Sequence, residues 1–327
     1  MKAIVYTRYG PPDVLQLIDV EKPVPKDDEI LVKIHAAALN AYDWHLMRAK
    51  PALVRFMGQG LFKPKRPRFG ADFAGQVVAI GRGVQQFKPG DDVFGDMPGR
   101  GSGSCAEFGC VREDAAALKP ANLSFEQAAA VPMAALTALQ GLRDKCMVRA
   151  GQKVLIQGAS GGVGIFAVQI AKAFGAEVTA VCGPGKEAIM RALGADHVID
   201  YTRRDFTRAS ERYDAIFAVN GFHPISAYKR ALAPRGVYVM AGGTPRQMSQ
   251  AMLWGRPMSL FRGKKLGGIA AKLRQQDFIV LKELIEAGKI KPVIDRRYPL
   301  SETAEAIRYL EAGHARGKVV ITIADGG

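Results

Sequence analysis

Between Lys153 and Gly175 the chain reads KVLIQGASGGVGIFAVQIAKAFG. A short apolar run (Val154, Leu155, Ile156) meets a cluster of small residues, and an apolar segment with helical spacing follows. Strand, tight turn and helix in that order open a dinucleotide-binding βαβ unit. Ser160, Gly161, Gly162 and Val163 occupy the turn and the helix start, and are the first cofactor-binding candidates. Small residues there let a pyrophosphate approach backbone N–H groups that have no intrahelical partner, at the positive end of the helix dipole. Aligned on G-x-G-x-x-G, the matching residues are Ala159, Gly161 and Gly164, so alanine replaces the first glycine. The alternative is a glycine-rich turn of some other α/β protein, and the sequence downstream bears on the choice.

Downstream, strands and helices alternate. The strands VLIQG, EVTAVCG, HVIDY, DAIFAVN and VYVMAGG enclose the helical segments GVGIFAVQIAKAF, KEAIMRALG and ISAYKRALA. Such alternation gives a parallel, doubly wound sheet. Upstream, short β-rich pieces (AIVYT, VLQLIDV, EILVKIHAAAL, AGQVVAIG, DDVFG) are broken by glycine and proline, as in an all-β, barrel-like domain. Ser124 to Gln127 is a capping-box pattern that opens an Ala-rich helix broken at Pro132. An amphipathic helix is expected over Asp277 to Gly288 and another over Ser301 to Ala312, before a last strand, GKVVITI, that can rejoin the first domain. The expected division is 1–122 with 293–327 for the β domain, and 123–292 for the dinucleotide-binding domain.

Length and composition set bounds. The 327 residues suffice for two domains. Hydrophobic (48%) and charged (24%) fractions are those of a soluble globular protein. Four scattered cysteines (105, 110, 146, 182), with no CxxC pair, favour a reducing compartment. No signal-peptide core opens the chain, and no apolar run reaches the ~20 residues that span a bilayer. A cytoplasmic location is expected. The net charge of +15 is dispersed and accompanied by no nucleic-acid motif, so nucleic acid is not an expected partner.

The segments GADFAGQVVAIG (70–81), FKPGDDVFG (87–95), AAAVPMAALTAL (128–139), GASGGVG (158–164), LGADHVIDY (193–201) and GKVVI (317–321) together resemble the medium-chain dehydrogenase/reductase superfamily. The resemblance covers almost the whole chain. It is to the zinc-independent quinone oxidoreductase branch, with its zeta-crystallin-like and alkenal/enone reductase members. It implies an α/β protein with a Rossmann doubly wound sheet, a GroES-like β-barrel-type catalytic domain, and an active site between the two. Homodimerisation is expected by the same analogy.

Zinc-dependent alcohol dehydrogenases of the superfamily carry a cysteine where this chain has Asn40, and a histidine where it has Ala71. The four-cysteine lobe is absent, and Cys105 and Cys110 read as structural. No metal is expected. Without a Lewis acid, reduction of an activated acceptor is more plausible than dehydrogenation of a simple alcohol.

Cofactor choice turns on the end of the second strand, where NAD-specific sites usually carry an acid. Here Gly183 and its neighbours take that place and Lys186 follows. The branch associates a lysine and a tyrosine matching Lys186 and Tyr201 with a 2′-phosphate, so NADPH is expected. The alternative is that Lys186 starts a solvated helix. By the resemblance, backbone at Asn220, Gly242 and Gly243 lines the nicotinamide ribose and carboxamide.

The resemblance places Asn40 beside nicotinamide and acceptor, and matches Asp43 to an N-x-x-D pattern. His45 stands where relatives often have Tyr or Lys, and an imidazole could deliver a proton. The plainer reading is that Asp43 caps a helix and His45 packs. The basic, apolar segments 46–70 and 244–265, with Phe56, Phe62, Trp254 and Phe261, are expected to suit a hydrophobic acceptor or weak peripheral contact with anionic membranes, although loops of this kind are often just solvated. The resulting expectation is NADPH-dependent hydride transfer to a quinone or to the C=C bond of an α,β-unsaturated carbonyl. An NAD(P)-dependent alcohol dehydrogenase and a non-catalytic, crystallin-like NADPH-binding protein are the competing readings.

Overall fold

A computed structural model describes residues 1–50, 60–65, 67–97, 103–243, 263–313 and 315–323. Phe56, Trp254 and Phe261 lie outside the described residues, and Phe62 is exposed. The chain divides into two compact units, Met1–Met133 with Leu273–Glu286 and Pro292–Gly327, and Ala134–Lys272 with Ala287–Lys291.

The first unit opens with β1 (Lys2–Val5) paired antiparallel to β2 (Gln16–Asp19). Its main sheet is built on β3 (Glu29–Leu39), which leads directly into helix α1 (Ala41–Arg48). Strand β4 (Asp72–Ile80) pairs with β3 and with β5 (Asp92–Asp96), β6 (Phe108–Arg112) pairs with β3, and β7 (Ala116–Leu118) pairs with β5. All these pairs are antiparallel. Helix α2 (Phe125–Ala129) begins with the expected capping box. Ser124 Oγ accepts the Gln127 N–H at 3.2 Å, and Gln127 Oε1 accepts the Ser124 N–H at 3.0 Å. Helix α3 (Pro132–Gln140) then starts at the proline, whose missing N–H costs nothing at a first helical position.

In the second unit, α3 runs into a π-helical turn, Gly141–Cys146. A Cβ at Gly141 would lie 2.4 Å from the Phe217 ring, so only glycine lets the turn pack there. The sheet and its helices follow as β8 (Lys153–Gln157), α4 (Gly162–Ala173), β9 (Glu177–Cys182), α5 (Glu187–Ala192), β10 (His197–Asp200), β11 (Tyr213–Ala218), α6 (Ile225–Ala231), β12 (Leu232–Met240) and β13 (Lys265–Gly268). The strands pair in parallel, in the order β10-β9-β8-β11-β12-β13. Val154, Leu155 and Ile156 of β8 are fully buried, which is why this strand reads as an apolar run rather than an alternation. The order reverses at β8, and ligands of doubly wound sheets bind outside the strand ends at such a switch point.

The chain then returns to the first unit with α7 (Gln275–Glu286), β14 (Ile294–Pro299), α8 (Thr303–Glu311) and β15 (Lys318–Thr322). Strand β15 pairs antiparallel with β3, Val319 opposite Leu39, as expected of GKVVITI. Ile34, Leu39, Phe73, Val93, Ile307, Val319 and Ile321 belong to one buried core.

The division differs from the expected 1–122/123–292/293–327. It falls after Met133, and residues 273–286 go with the first unit. Asp72 Oδ1 accepts the Met133 N–H at 3.0 Å. Gln275 Nε2 donates to the carbonyls of Glu113 and Ala116 at 2.9 and 3.0 Å, and Phe278 packs on Phe94 with ring centres 5.6 Å apart. Strand–helix alternation along a sequence does not reveal which sheet a helix packs on, and here the helix side chains decide it.

Candidate cofactor and active site

In the second unit the glycine-rich turn leaves the carboxyl end of β8. Gly158 takes φ +76°, in the left-handed region, and a Cβ there would come within 3.1 Å of the Asn220 nitrogen. The sequence alignment on Ala159 passed over this glycine, because a fingerprint records spacing and not dihedral angle. Gly164 seats the helix, since a Cβ there would lie 2.2 Å from the Gly158 carbonyl oxygen. At Gly161 the nearest atom to such a Cβ would be 3.6 Å away, so among the described residues nothing requires glycine at that position. Gly161 is the N-cap of α4 and provides no side-chain cap, and the first turn carries Gly162 and Val163. This is a cradle open to an anion. Ser160 is buried beside it.

Other candidates gather on the same edge of the sheet. Gly183 follows β9, and a Cβ there would meet the Tyr201 hydroxyl at 3.3 Å. Tyr201 is half exposed and meets Phe222 edge-on, with ring centres 5.9 Å apart. Lys186 is half-buried at the start of α5, and among the described residues it joins no ion pair. The Gly221 N–H donates to Gly242 at 3.1 Å, Gly221 bridges to Gly243, and Asn220 is exposed beside them. Tyr228 holds this loop, donating to Gln157 Oε1 at 2.5 Å while its oxygen accepts the Phe222 N–H at 3.2 Å. A cradle at the start of α4 and an open strand end beside it are what a nicotinamide dinucleotide needs, and the residues fit one.

In the first unit, Asn40 follows β3 and caps α1. Its N–H donates to Asp43 Oδ2 at 2.7 Å. Its side-chain Nδ2 donates to Asp72 Oδ2 at 2.9 Å, while its Oδ1 accepts from Lys318 Nζ at 2.5 Å. Asp96 stands opposite Asp72 across the β4–β5 pair and is also buried. Burial pushes the Asp43 carboxyl up to about 7, overcoming the hydrogen bond from Asn40. Burial also raises Asp72, against the opposing pull of Lys318, and raises Asp96 well above the usual range, helped by the charges of Asp72 and Asp43. Three buried carboxyl groups beside one ammonium cannot all be ionised without a large desolvation cost, so protons are kept on Asp43 and Asp96 in preference to Asp72, whose Oδ2 accepts from both Lys318 and Asn40.

The structure brings Asn40 and Asp43 together and draws in three residues the sequence reading did not select: Asp72, Asp96 and Lys318. Each sits in or beside a quoted motif (GADFAG, DDVFG, GKVVI), but 246 residues separate Asp72 from Lys318 and no spacing rule links them. His45 lies apart from these contacts. Its Nδ1 is 2.7 Å from the Lys50 carbonyl oxygen and its ring stacks on Trp44 at 3.7 Å.

The donor set does not suit a catalytic zinc. Among the described residues no three His, Cys, Asp or Glu side chains converge as metal ligands. The acceptor atoms Asn40 Oδ1 and Asp72 Oδ2 already share an ammonium. Cys105 is sealed from solvent, and burial raises its thiol well above the ordinary range.

Two family models match the chain. One, described as zinc-binding dehydrogenase, covers residues 193–321, and the other, the alcohol dehydrogenase GroES-like domain, covers residues 26–141. The 2-methylene-furan-3-one reductase of Solanum lycopersicum is 38% identical over 98% of this chain and 79% of its own length. The chloroplastic NADPH-dependent alkenal/one oxidoreductase of Arabidopsis thaliana is 36% identical over 98% and 79%. A solved quinone oxidoreductase from Coxiella burnetii is 31% identical and superposes with a TM-score of 0.87 over 99% of both chains. A Rossmann unit ready for a nicotinamide cofactor, a GroES-like unit and these matches lead to one identification: the chain is an oxidoreductase of the medium-chain dehydrogenase/reductase superfamily and belongs to its quinone and enone oxidoreductase branch.

Proposed function

We propose that the protein is an NADPH-dependent, metal-independent reductase acting on a quinone or on the C=C bond of an α,β-unsaturated carbonyl compound. The observation that carries the cofactor choice is the end of β9, where Gly183 replaces an acid and the half-buried Lys186 joins no ion pair among the described residues. A ribose 2′-phosphate meets no carboxylate repulsion there, and an ammonium is free to pair with it. Substrate class is supported by the relatives named for enone and quinone reduction.

When bound, the reduced nicotinamide supplies the hydride. The chain's part is to hold the pyrophosphate on the first turn of α4, through Ser160, Gly161, Gly162 and Val163, and the ribose end along Asn220, Gly242 and Gly243. Asn40, fixed by Asp43, Asp72 and Lys318, offers an N–H to the oxygen on which negative charge develops. His45 can deliver a proton only as an imidazolium if its Nδ1–H donates to Lys50, and solvent is the other source. We further propose a homodimer in a reducing compartment such as the cytoplasm, in keeping with four buried cysteines in the thiol form. Weak contact of the basic segments 46–70 and 244–265 with anionic membranes belongs to the same reading.

The test is NADPH oxidation in the presence of a quinone, a 2-alkenal, an enone and a simple ketone, each with and without chelator. Turnover with the activated acceptors, unaffected by chelator, is expected. Chelator-sensitive oxidation of a simple alcohol would favour the alcohol dehydrogenase reading. NADPH binding with no turnover on the whole panel would favour a non-catalytic role.

A further inference from the structure

Lys318 is 2% exposed and sits on β15, far in sequence from the α1 cap that it touches. Its Nζ donates to Asn40 Oδ1 at 2.5 Å and to Asp72 Oδ2 at 3.1 Å. Asn40 Nδ2 donates to the same Asp72 oxygen at 2.9 Å and makes only a long 3.4 Å contact with the Ala38 carbonyl. These partners distinguish the two ends of the amide. An ammonium has nothing to offer an NH₂ group, and a carboxylate has nothing to offer a carbonyl oxygen. Rotating the amide by half a turn would break both short bonds and set donor against donor and acceptor against acceptor, where water does not compensate.

One Nδ2 hydrogen is therefore committed to Asp72, and the other, held only by the long 3.4 Å bond to the Ala38 carbonyl, is the donor that Asn40 can turn to a ligand by giving up that bond. We propose that Lys318 is a positioning residue. By pinning Asn40 Oδ1 it makes the amide present a hydrogen-bond donor, not a lone pair, to the acceptor oxygen as that oxygen gains charge. The proposal rests on the reading of Asn40 as the residue beside the acceptor. Packing alone does not call for an ammonium here, because a methionine would fill similar space without a charge to desolvate. Among the described residues, the groups around Asn40 and Asp43 are Tyr6 after β1, Tyr42 on α1, Asp72 on β4, Asp96 on β5, Cys105 before β6 and Lys318 on β15. Lys318 is the sole cation among them.

The test compares Lys318→Met, Lys318→Arg and the charge-balanced double variant Lys318→Met with Asp72→Asn, which guards against loss of folding from an unpaired buried charge. Two measurements are made on each. The first is steady-state NADPH oxidation with an enone, and the second is the ¹H–¹⁵N signal pair of the Asn40 side chain, assigned by its loss in Asn40→Ala. Expected are a kcat lower by about 10- to 100-fold in both methionine variants, with KM for NADPH unchanged, and substantial recovery in Lys318→Arg. The two Asn40 amide protons should be widely separated and slow to exchange in the native protein, and should converge in the methionine variants. Unchanged kcat in the methionine variants, or unaltered amide signals, would overturn the proposal. If the native protein reduces none of the acceptors, the reductase reading falls while the amide signals still decide whether Lys318 orients Asn40.

Discussion

Lys318 Nζ lies 3.1 Å from Asp72 Oδ2, with the two side chains 2% and 0% exposed. Ion pairs this deep give modest net stability, yet losing one partner is costly, because the other is left charged and dry. Asp72→Ala is expected to destabilise the protein by ~3–5 kcal/mol, read from urea unfolding. A loss under ~1 kcal/mol would show that the pair is hydrated in solution.

The two glycines of the phosphate turn should respond oppositely. Gly161→Ala adds a methyl with only ordinary contacts inside the protein, so stability should move by no more than ~0.5 kcal/mol while NADPH affinity falls. Gly164→Ala drives a methyl to 2.2 Å from the Gly158 oxygen and should cost ~1–3 kcal/mol before any cofactor is added. Thermal unfolding and fluorescence titration of both variants separate the two effects. Equal loss of stability would mean that the turn differs from the one described.

Lys186→Ala should weaken NADPH by roughly 10- to 100-fold, the worth of a charge-assisted hydrogen bond of ~1.5–3 kcal/mol. NADH, lacking the 2′-phosphate, should bind about as before. Titration of both cofactors checks this, and a parallel loss for the two would assign Lys186 to the helix alone.

Burial holds the Asp43 carboxyl at about 7, well above its unfolded value. The folded state therefore binds a proton that the unfolded state has released, over the window from about pH 4 to about pH 7. Asp43 favours folding most below that window, and this contribution is lost as pH rises through it. Asp43→Asn, whose amide oxygen can still accept from the Asn40 N–H, removes the dependence. Its stability relative to the native protein should rise between pH 4 and 7 and then level off. Parallel stability curves for the two proteins would show that Asp43 titrates normally.

His45 is bound to Lys50 and stacked on Trp44 at the end of α1, both local tasks. His45→Ala is expected to change kcat by less than ~3-fold and leave its pH profile intact, while lowering stability by ~1 kcal/mol. A lost protonation limb in the profile would instead make His45 the proton donor.

Features whose physics is local are legible in the amino-acid order alone. The apolar run at Val154–Ile156, the small residues at 158–164 and the helical spacing after them fixed the βαβ start, because backbone reach and side-chain period act over a few residues. The missing acid at Gly183 and the missing ligands at Asn40 and Ala71 were readable for the same reason, since each is a matter of residue type at a known place in a motif. The placement of residues 273–286 in the first unit was not readable, because Phe278 and Gln275 pack on a sheet whose strands lie more than 150 residues earlier. Nor was the Asn40 network, in which β3, α1, β4, β5 and β15 each contribute a side chain or backbone group to one buried point. Charge strength depends on how much water is excluded, and water is excluded only once those strands pair. Tertiary structure alone therefore turned an aspartate in GADFAG and a lysine in GKVVI into a buried pair that holds Asn40.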